Sequence, residues 1–417
     1  METKEWVLPN RVYFNKWVYN QFHPSKYTTK KQGVFSPEPY QQLIKDFVHY
    51  SSPYRGLLVY HGLGTGKTCT SILATESFIN NKSKVIVLTP ASLENNFRKE
   101  LKKCSNTGYL LRKKWTKVKL DYKLHYEVYD SLKDSLGLTK TFIDKHNGNL
   151  WLPFLPKNIP TDTIISEPTF VRSMEQEDID IVNEIYEFII NDRYTFLHYN
   201  GLTNKKLDEL EQKNQYNKDI FDDTIVIIDE VHTFISRVVG GGKIARRLYN
   251  LLLYKPNIKL VMLSGTPVIN NPFELCYTLN LLRGPIEEYS ISMLKDKDVP
   301  SVEQVKEVLK KENLFKYIDD IIIDNGSNQI KLTLMPNGFV KKDDTVLIEK
   351  GSKIYNKQEW ITKMITKMKK HLDINARIKQ EDFTALPLNK DNFYELFFKD
   401  YVLDQDKIKL FMKRITG

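Results

Sequence analysis

The sequence predicts an α/β fold with a central parallel sheet, and three stretches carry that prediction. Gly56–Tyr60 (GLLVY) has the length and branched or aromatic content of a buried strand, and it runs through a glycine-rich turn into a helical pattern at Lys67–Ile79. Residues 84–89 (KVIVLT), followed by Pro90-Ala91-Ser92-Leu93 and a helix through Leu101, repeat the strand–helix unit. Residues 224–228 (TIVII) form a third apolar run that stops at Asp229-Glu230-Val231-His232. Strands separated by helices imply crossover connections and parallel neighbours.

Between the first strand and its helix lies His61-Gly62-Leu63-Gly64-Thr65-Gly66-Lys67-Thr68, which reads as a phosphate cradle. Its three glycines let backbone N–H groups turn toward phosphate oxygens, and the helix adds the positive end of its dipole. Lys67 is placed to reach the β- and γ-phosphates of ATP, and the Thr68 hydroxyl to hold Mg²⁺. The strict pattern has glycine at position 61, where this chain has His61. Branched residues put 224–228 at the sheet centre, so Asp229 and Glu230 emerge at its C-terminal edge, where open α/β sheets bind ligands. There Asp229 can hold Mg²⁺ through water, and Glu230 can orient or deprotonate an attacking water. His232 is placed to link this site to a neighbouring loop. Strand 259–263 (KLVML) leads into Ser264-Gly265-Thr266-Pro267, with small hydroxyl residues at the same edge. Upstream, Gln41 can read adenine, because an amide both donates and accepts hydrogen bonds.

At 417 residues, with 41% hydrophobic and 27% charged, the chain is long enough for two or three globular domains. No apolar run approaches the roughly 20 residues of a membrane helix, and the first residues (METKEWVLPNRVYF) lack a signal-peptide core. No membrane partner is expected. Cys69, Cys104 and Cys276 lie far apart without metal-ligand spacing, so neither a disulfide nor a zinc site is expected and a reducing compartment fits. A formal charge of +10 favours a polyanionic partner, nucleic acid foremost.

Residues 1–36 read as an aromatic arm (Trp6, Tyr13, Phe14, Trp17, Tyr19, Phe22, Tyr27) that packs on the main domain. That domain is expected over 37–290, interrupted at 102–194 by a lysine-rich, partly helical insertion on its rim. There Arg112, Lys113, Lys114, Lys117 and Lys119, with Trp115 among them, suit a nucleic-acid backbone and stacked bases. A solvated basic face fits the same residues. Strand 195–199 and a polar helix at 205–213 restore the α/β rhythm. Between 291 and 385 the texture changes to a small helical and β-rich accessory element. Its signs are a charged helix at Val302–Lys311, alternating Ile330, Leu332 and Leu334, turns at Asn325-Gly326 and Asn337-Gly338, and a basic amphipathic helix at 360–372. An aromatic helix containing Phe393, Tyr394, Phe397 and Phe398 follows Leu386-Pro387.

Together, HGLGTGKT, VIVLTPASLENNF, TIVIIDEVHTFIS and MLSGTPVINNPFEL resemble motifs I, Ia, II and III of superfamily 2 helicases and translocases. DEVHTFIS and SGTPVINNPFELCYTLNLLRG are also similar to the nucleoside triphosphatases and early transcription factor ATPases of nucleocytoplasmic large DNA viruses. The resemblance covers residues 37–284 and implies a RecA-like P-loop domain; such motors tolerate the departure at His61. Position by position, it implies that Gln41, His61, Gly62, Gly64, Thr65, Gly66, Lys67 and Thr68 bind ATP, with Gln41 on adenine and Mg²⁺ on Thr68 and Asp229. Lys67, Asp229 and Glu230 are implied in hydrolysis, and His232, Ser264 and Thr266 in coupling it to DNA or RNA. Pro90 and Ala91 are implied at the border of the nucleic-acid track. Implied partners are nucleic acid and viral RNA polymerase or other transcription or replication factors, in the virion and host cytoplasm. No Gln-x-x-Gly-Arg-x-x-Arg pattern is present, and 386–417 is similar to the passage into a second RecA-like lobe. The chain is thus expected to be the N-terminal part of a longer ATP-hydrolysing motor, weakly active by itself. An ATP-binding scaffold subunit without useful turnover is the alternative, against which the presence of Glu230 argues.

Overall fold

Apolar runs at Gly56–Tyr60, Val85–Leu88, Tyr194–Leu197, Ile225–Ile228 and Lys259–Ser264 assemble into one sheet in which every neighbour is parallel. The computed structural model describes residues 5–9, 11–27, 37–62, 64–79, 84–105, 107–215, 218–293, 299–336, 338–348, 357–372, 377–399, 402–404 and 407. From one edge to the other the strands run Gly56–Tyr60, Lys259–Ser264, Ile225–Ile228, Val85–Leu88, Tyr194–Leu197. Val85–Leu88 and Ile225–Ile228 are buried along their whole length, which is why they read as unbroken apolar runs rather than as alternation. On one face, Ile72, Leu73, Phe97 and Leu101 of helices Lys67–Ile79 and Ala91–Cys104 fill the core. On the other, Phe234, Leu252 and Leu281 do so from helices Val231–Val239, Lys243–Tyr254 and Glu274–Arg283. Helix Lys67–Ile79, which follows Gly56–Tyr60, packs on one face of the sheet and Glu274–Arg283, which follows its neighbour Lys259–Ser264, on the other, so a crevice opens at those two strand ends, where such folds bind ligands.

Contrary to the expectation from spacing, Cys69 and Cys104 form a disulfide, with Cα atoms 5.5 Å apart. Helices Lys67–Ile79 and Ala91–Cys104 pack side by side and bring the two sulfurs together. Cysteine usage therefore gives no argument for a reducing compartment. Cys276 is a buried free thiol.

The rim insertion is more than partly helical. Strands Asn149–Leu152, Lys114–Lys119 and Thr169–Phe170 form an antiparallel sheet that packs with helices Tyr126–Leu136, Lys140–Lys145 and Gln176–Arg193 around its own core of Trp115, Leu132, Ile143, Leu150 and Ile185. Trp115 is fully buried, so it cannot stack a base, and Lys117 is ion-paired with Asp178 at 2.8 Å. Lys113 and Lys114 remain exposed.

In the accessory element, Ile318–Asp324, Gln329–Leu334, Ile286–Ser292 and Arg377–Phe383 form an antiparallel sheet, over which helices Val302–Lys311 and Lys357–Leu372 supply Val305, Leu309, Met364 and Met368. The turn after Asp324 is longer than an Asn-Gly pair, and Asn328 rather than Gly326 takes the left-handed conformation. Asn337 of the second expected turn lies outside the described residues. The arm residue Trp6 exchanges backbone hydrogen bonds with Val346 of the hairpin Phe339–Lys342/Thr345–Ile348, and its ring meets Tyr54 edge-on at the base of the lobe.

The segment expected to lead into a second lobe returns to the first. Asn280 clamps Leu386 from both sides, accepting its N–H at 3.0 Å and donating to its carbonyl at 2.9 Å. Phe393 and Phe397, from helix Lys390–Phe397, are buried in the lobe core. Residues 408–417, the rest of that expectation, lie outside the described residues. Phe393→Ala should therefore lower the unfolding free energy by about 3 kcal/mol or more, measured by urea denaturation, since it empties a core site. Val402→Ala, at an exposed position nearby in sequence, should leave it unchanged.

Candidate nucleotide site

The loop from His61 to Gly66 joins the edge strand to the N-terminus of Lys67–Ile79, and its shape depends on two glycines. Gly64 and Gly66 have φ of 77° and 76°, a region open to glycine without strain. A Cβ on Gly66 would also lie 3.1 Å from the Gln41 amide nitrogen. The Thr65 hydroxyl donates to the Gly62 carbonyl at 2.8 Å, closing the loop on itself. Leu63 lies outside the described residues. The Lys67 ammonium is buried and finds no hydrogen-bond partner among the described residues. It lies 3.0 Å from where a Cβ on Gly265 would be, so the glycine lets it reach under the loop. A buried cation left unpaired is costly unless an anion completes it.

His61 contributes differently from the glycine it replaces. Its backbone N–H donates to the Ser264 carbonyl at 3.3 Å and its ring meets Tyr40 edge-on. Burial, reinforced by the Lys67 charge, lowers its pKa and so favours the neutral ring.

Gln41 sits directly against the phosphate loop. Its amide nitrogen donates to the Gly66 carbonyl at 3.4 Å and its amide oxygen accepts from the Glu38 N–H at 3.0 Å. The buried amide thus ties the phosphate loop to the start of helix Pro39–Phe47. Tyr40, which had no assigned role, donates its hydroxyl to the Thr65 carbonyl at 2.6 Å and braces the same loop.

At the end of Ile225–Ile228, the Asp229 N–H donates to the Leu88 carbonyl at 2.8 Å, which fixes the carboxylate between two strand ends. Its oxygens accept from the Glu230 N–H at 3.1 Å and the Thr89 hydroxyl at 3.4 Å. Burial, then the Glu230 charge, pushes the Asp229 pKa up to about 6, against the opposing pull of Lys67. Glu230 has φ 48° and ψ 53°, a left-handed conformation that costs a non-glycine residue about 1–3 kcal/mol. Such strain is typical of functional positions. His232 Nδ1 lies 3.4 Å from the Glu230 carboxylate and 2.8 Å from Ser264 Oγ, which also accepts the Thr266 N–H at 3.0 Å. His232 and Ser264 thus lie beside the acidic pair, with Thr266 one hydrogen bond further.

The loop after Thr266 is set by residues that the sequence reading gave no role. The buried Glu274 carboxylate accepts the N–H groups of Ile269 at 3.0 Å and Asn270 at 3.4 Å, and the Asn270 amide at 3.2 Å. Asn270 also donates to the Ser236 hydroxyl at 2.7 Å, and Asn271 accepts the Tyr394 hydroxyl at 3.0 Å. The sequence signal was the acidic residue after NNPF, at helix-capping distance from the asparagines.

Pro90 and Ala91 begin helix Ala91–Cys104 just beyond Val85–Leu88, with Ala91 exposed at the same edge of the sheet. Lys114 and Lys117 belong to the rim insertion sheet, with Lys113 in the bend just before its strand.

No family model matches this chain. It is 31% identical, over 282 residues, to a protein of Acanthamoeba polyphaga mimivirus named as ATP-dependent RNA helicase R563, covering 66% of this chain and 38% of that one. Nucleoside triphosphatase I of Melanoplus sanguinipes entomopoxvirus is 26% identical over 41% of this chain and 26% of its own length. The Termination factor NPH-I homolog of African swine fever virus is 23% identical over 56% and 23%. The chain is thus similar to helicases and nucleoside triphosphatases of large DNA viruses. The chain spans less than two fifths of the length of these relatives.

The raised Asp229 pKa has a consequence for stability. A carboxyl whose folded pKa lies near 6, above an unfolded value of 3.8, loses stability as pH rises through that interval, because the folded state binds the extra proton. In a chelator, Asp229→Asn should therefore be more stable than the parent at pH 7 by about 2–3 kcal/mol, with the gap closing below pH ~4. Urea melts at the two pH values measure it.

Proposed function

We propose that the lobe binds ATP with Mg²⁺ at the 61–68 loop and, in the complete protein, hydrolyses it to drive movement on nucleic acid. The observation that carries this reading is the buried Lys67 ammonium, without a hydrogen-bond partner among the described residues, beneath a loop with positive-φ glycines at 64 and 66 and close enough to Asp229 to act on its carboxylate. Backbone N–H groups of Gly62, Gly64, Thr65 and Gly66 surround the phosphates, and Lys67 neutralises the β- and γ-oxygens. Thr68 and Asp229 fit Mg²⁺, which takes few protein oxygens and completes its shell with phosphate and water. When bound, the ion would spread the charge of the transferred phosphoryl group. Glu230, held in its strained turn, orients and deprotonates the attacking water. The His232, Ser264 and Thr266 chain links that carboxylate to the 264–271 loop, so a change at the γ-phosphate reaches the exposed edge where Pro90 and Ala91 border the polymer track. The names of the relatives, RNA helicase and termination factor, support nucleic acid as that polymer and viral transcription as the setting. A viral RNA polymerase or replication factor is the proposed partner, in the virion or host cytoplasm. Among the described residues no helix is long and apolar enough to cross a membrane.

Two variants separate binding from chemistry. Lys67→Ala should weaken a fluorescent ATP analogue at least about tenfold, since a charge-assisted contact of roughly 1.5–3 kcal/mol is lost. Glu230→Gln should keep that affinity and lower turnover at least about a hundredfold. Turnover at the parent's rate in the second variant would instead favour the ATP-binding scaffold, in which Glu230 does no chemistry.

A further inference from the structure

With Trp115 and Lys117 used inside the rim insertion, the face that remains exposed there is built from other residues. Lys114 and Phe170 are direct partners across the antiparallel strands Lys114–Lys119 and Thr169–Phe170, which puts both side chains on one face of the small sheet. Lys114 Nζ lies 5.6 Å from the centre of the Phe170 ring, and the Arg172 guanidinium carbon 5.3 Å from it. Phe170, Lys113, Lys114 and Arg172 are all exposed. Among the described residues none of these three cations has a carboxylate at ion-pair distance, in contrast to Lys117. A second exposed ring, Phe154, follows two residues after Leu152, which pairs with Thr116, and so belongs to the same end of the sheet.

We propose that this end of the rim sheet is a binding site for single-stranded nucleic acid, with a base stacked on Phe170 and flanking phosphates on Lys113, Lys114 and Arg172. The proposal rests on the reading of the chain as a nucleic-acid motor. An exposed ring among unpaired cations matches the alternation of base and phosphate along one strand, and stacking requires a base whose π-face is free of a duplex. An acidic peptide would satisfy the cations but leave the rings without a partner, which makes it the weaker match. Lys114 and Phe170 stand on strands that the insertion's own core holds, and Arg172 on the one-turn helix Val171–Ser173 that follows directly.

The test uses the full chain and a fluorescent oligo-dT or oligo-U strand. Phe170→Ala should weaken binding about tenfold, within the range for loss of one stacked base. Lys114→Ala and Arg172→Ala should each flatten the slope of log K against log salt by about 0.7. Phe170→Trp, which keeps a ring, should retain affinity and add tryptophan fluorescence that the oligonucleotide quenches. Unchanged affinity and salt slope across the alanine variants, or no quenching in Phe170→Trp, overturns the site. Polyglutamate that displaces the oligonucleotide equally well from the parent and from Phe170→Ala would assign the face to an acidic protein segment, and would overturn it too. Failure of the motor reading is recognised separately, by unaltered binding of the ATP analogue in Lys67→Ala.

Discussion

The pairing of the first strand of the lobe with the last is the constraint on which the candidate site depends. Gly56–Tyr60 lies in register against Lys259–Ser264, with Tyr60 opposite Ser264, so the phosphate loop and the 264–266 loop leave the sheet side by side. Only that adjacency lets Lys67 reach under Gly265 and lets the His61 N–H find the Ser264 carbonyl. The pairing itself requires a missing methyl group: a Cβ on Gly56 would lie 2.5 Å from the Leu260 carbonyl oxygen. Any larger residue there would push the edge strand away from its partner and open the site from below.

Two buried cations secure the other end of the same strand pair. Arg55 donates to the carbonyls of Lys255, Leu252, Leu253 and Leu281, so a single guanidinium closes the C-termini of helices Lys243–Tyr254 and Glu274–Arg283. Lys259 donates to the Ser52 and Tyr54 carbonyls. Helix C-termini carry partial negative charge and unsatisfied carbonyls, which is how a guanidinium finds favourable partners there without a carboxylate. Burial still depresses the Arg55 pKa to about 10 and, with Arg55 adding to it, that of Lys259 to about 7. The sheet is thus anchored by charge at its N-terminal edge, while at its C-terminal edge the Lys67 ammonium has no hydrogen-bond partner among the described residues and a phosphate would supply one.

The two large interruptions leave this arrangement intact because each has its own hydrophobic core. The rim insertion closes around Trp115 and Ile185 and returns the chain to Tyr194–Leu197. The accessory element closes around Leu309, Leu332 and Met364, and its ribbon of Ile286–Ser292 against Arg377–Phe383 brings the chain back to Asn280. Tyr394, on the returning helix, then touches Asn271 in the loop that follows Thr266. The outermost part of the lobe in sequence is in this way joined to the loop nearest the acidic pair.

The amino-acid sequence by itself determined the features whose physics is local. Unbroken branched runs gave the central strands, the glycine spacing gave the phosphate loop, and Asp229 and Glu230 follow directly on a buried strand, so their place at the sheet edge needed no long-range information. His232 was legible as a link to a neighbouring loop, and the pairing of Ile225–Ile228 with Lys259–Ser264 decided that the partner is Ser264. Tertiary structure alone decided the rest, since those pairings join residues that nothing local relates: Cys69 with Cys104 across 35 positions, Lys117 with Asp178 across 61, Asn280 with Leu386 across 106. Gln41 shows the same limit in one side chain. Its amide has the chemistry to read adenine, and the folded chain uses both of its ends to hold the Gly66 carbonyl and the start of its own helix, because a buried amide must be satisfied wherever packing puts it.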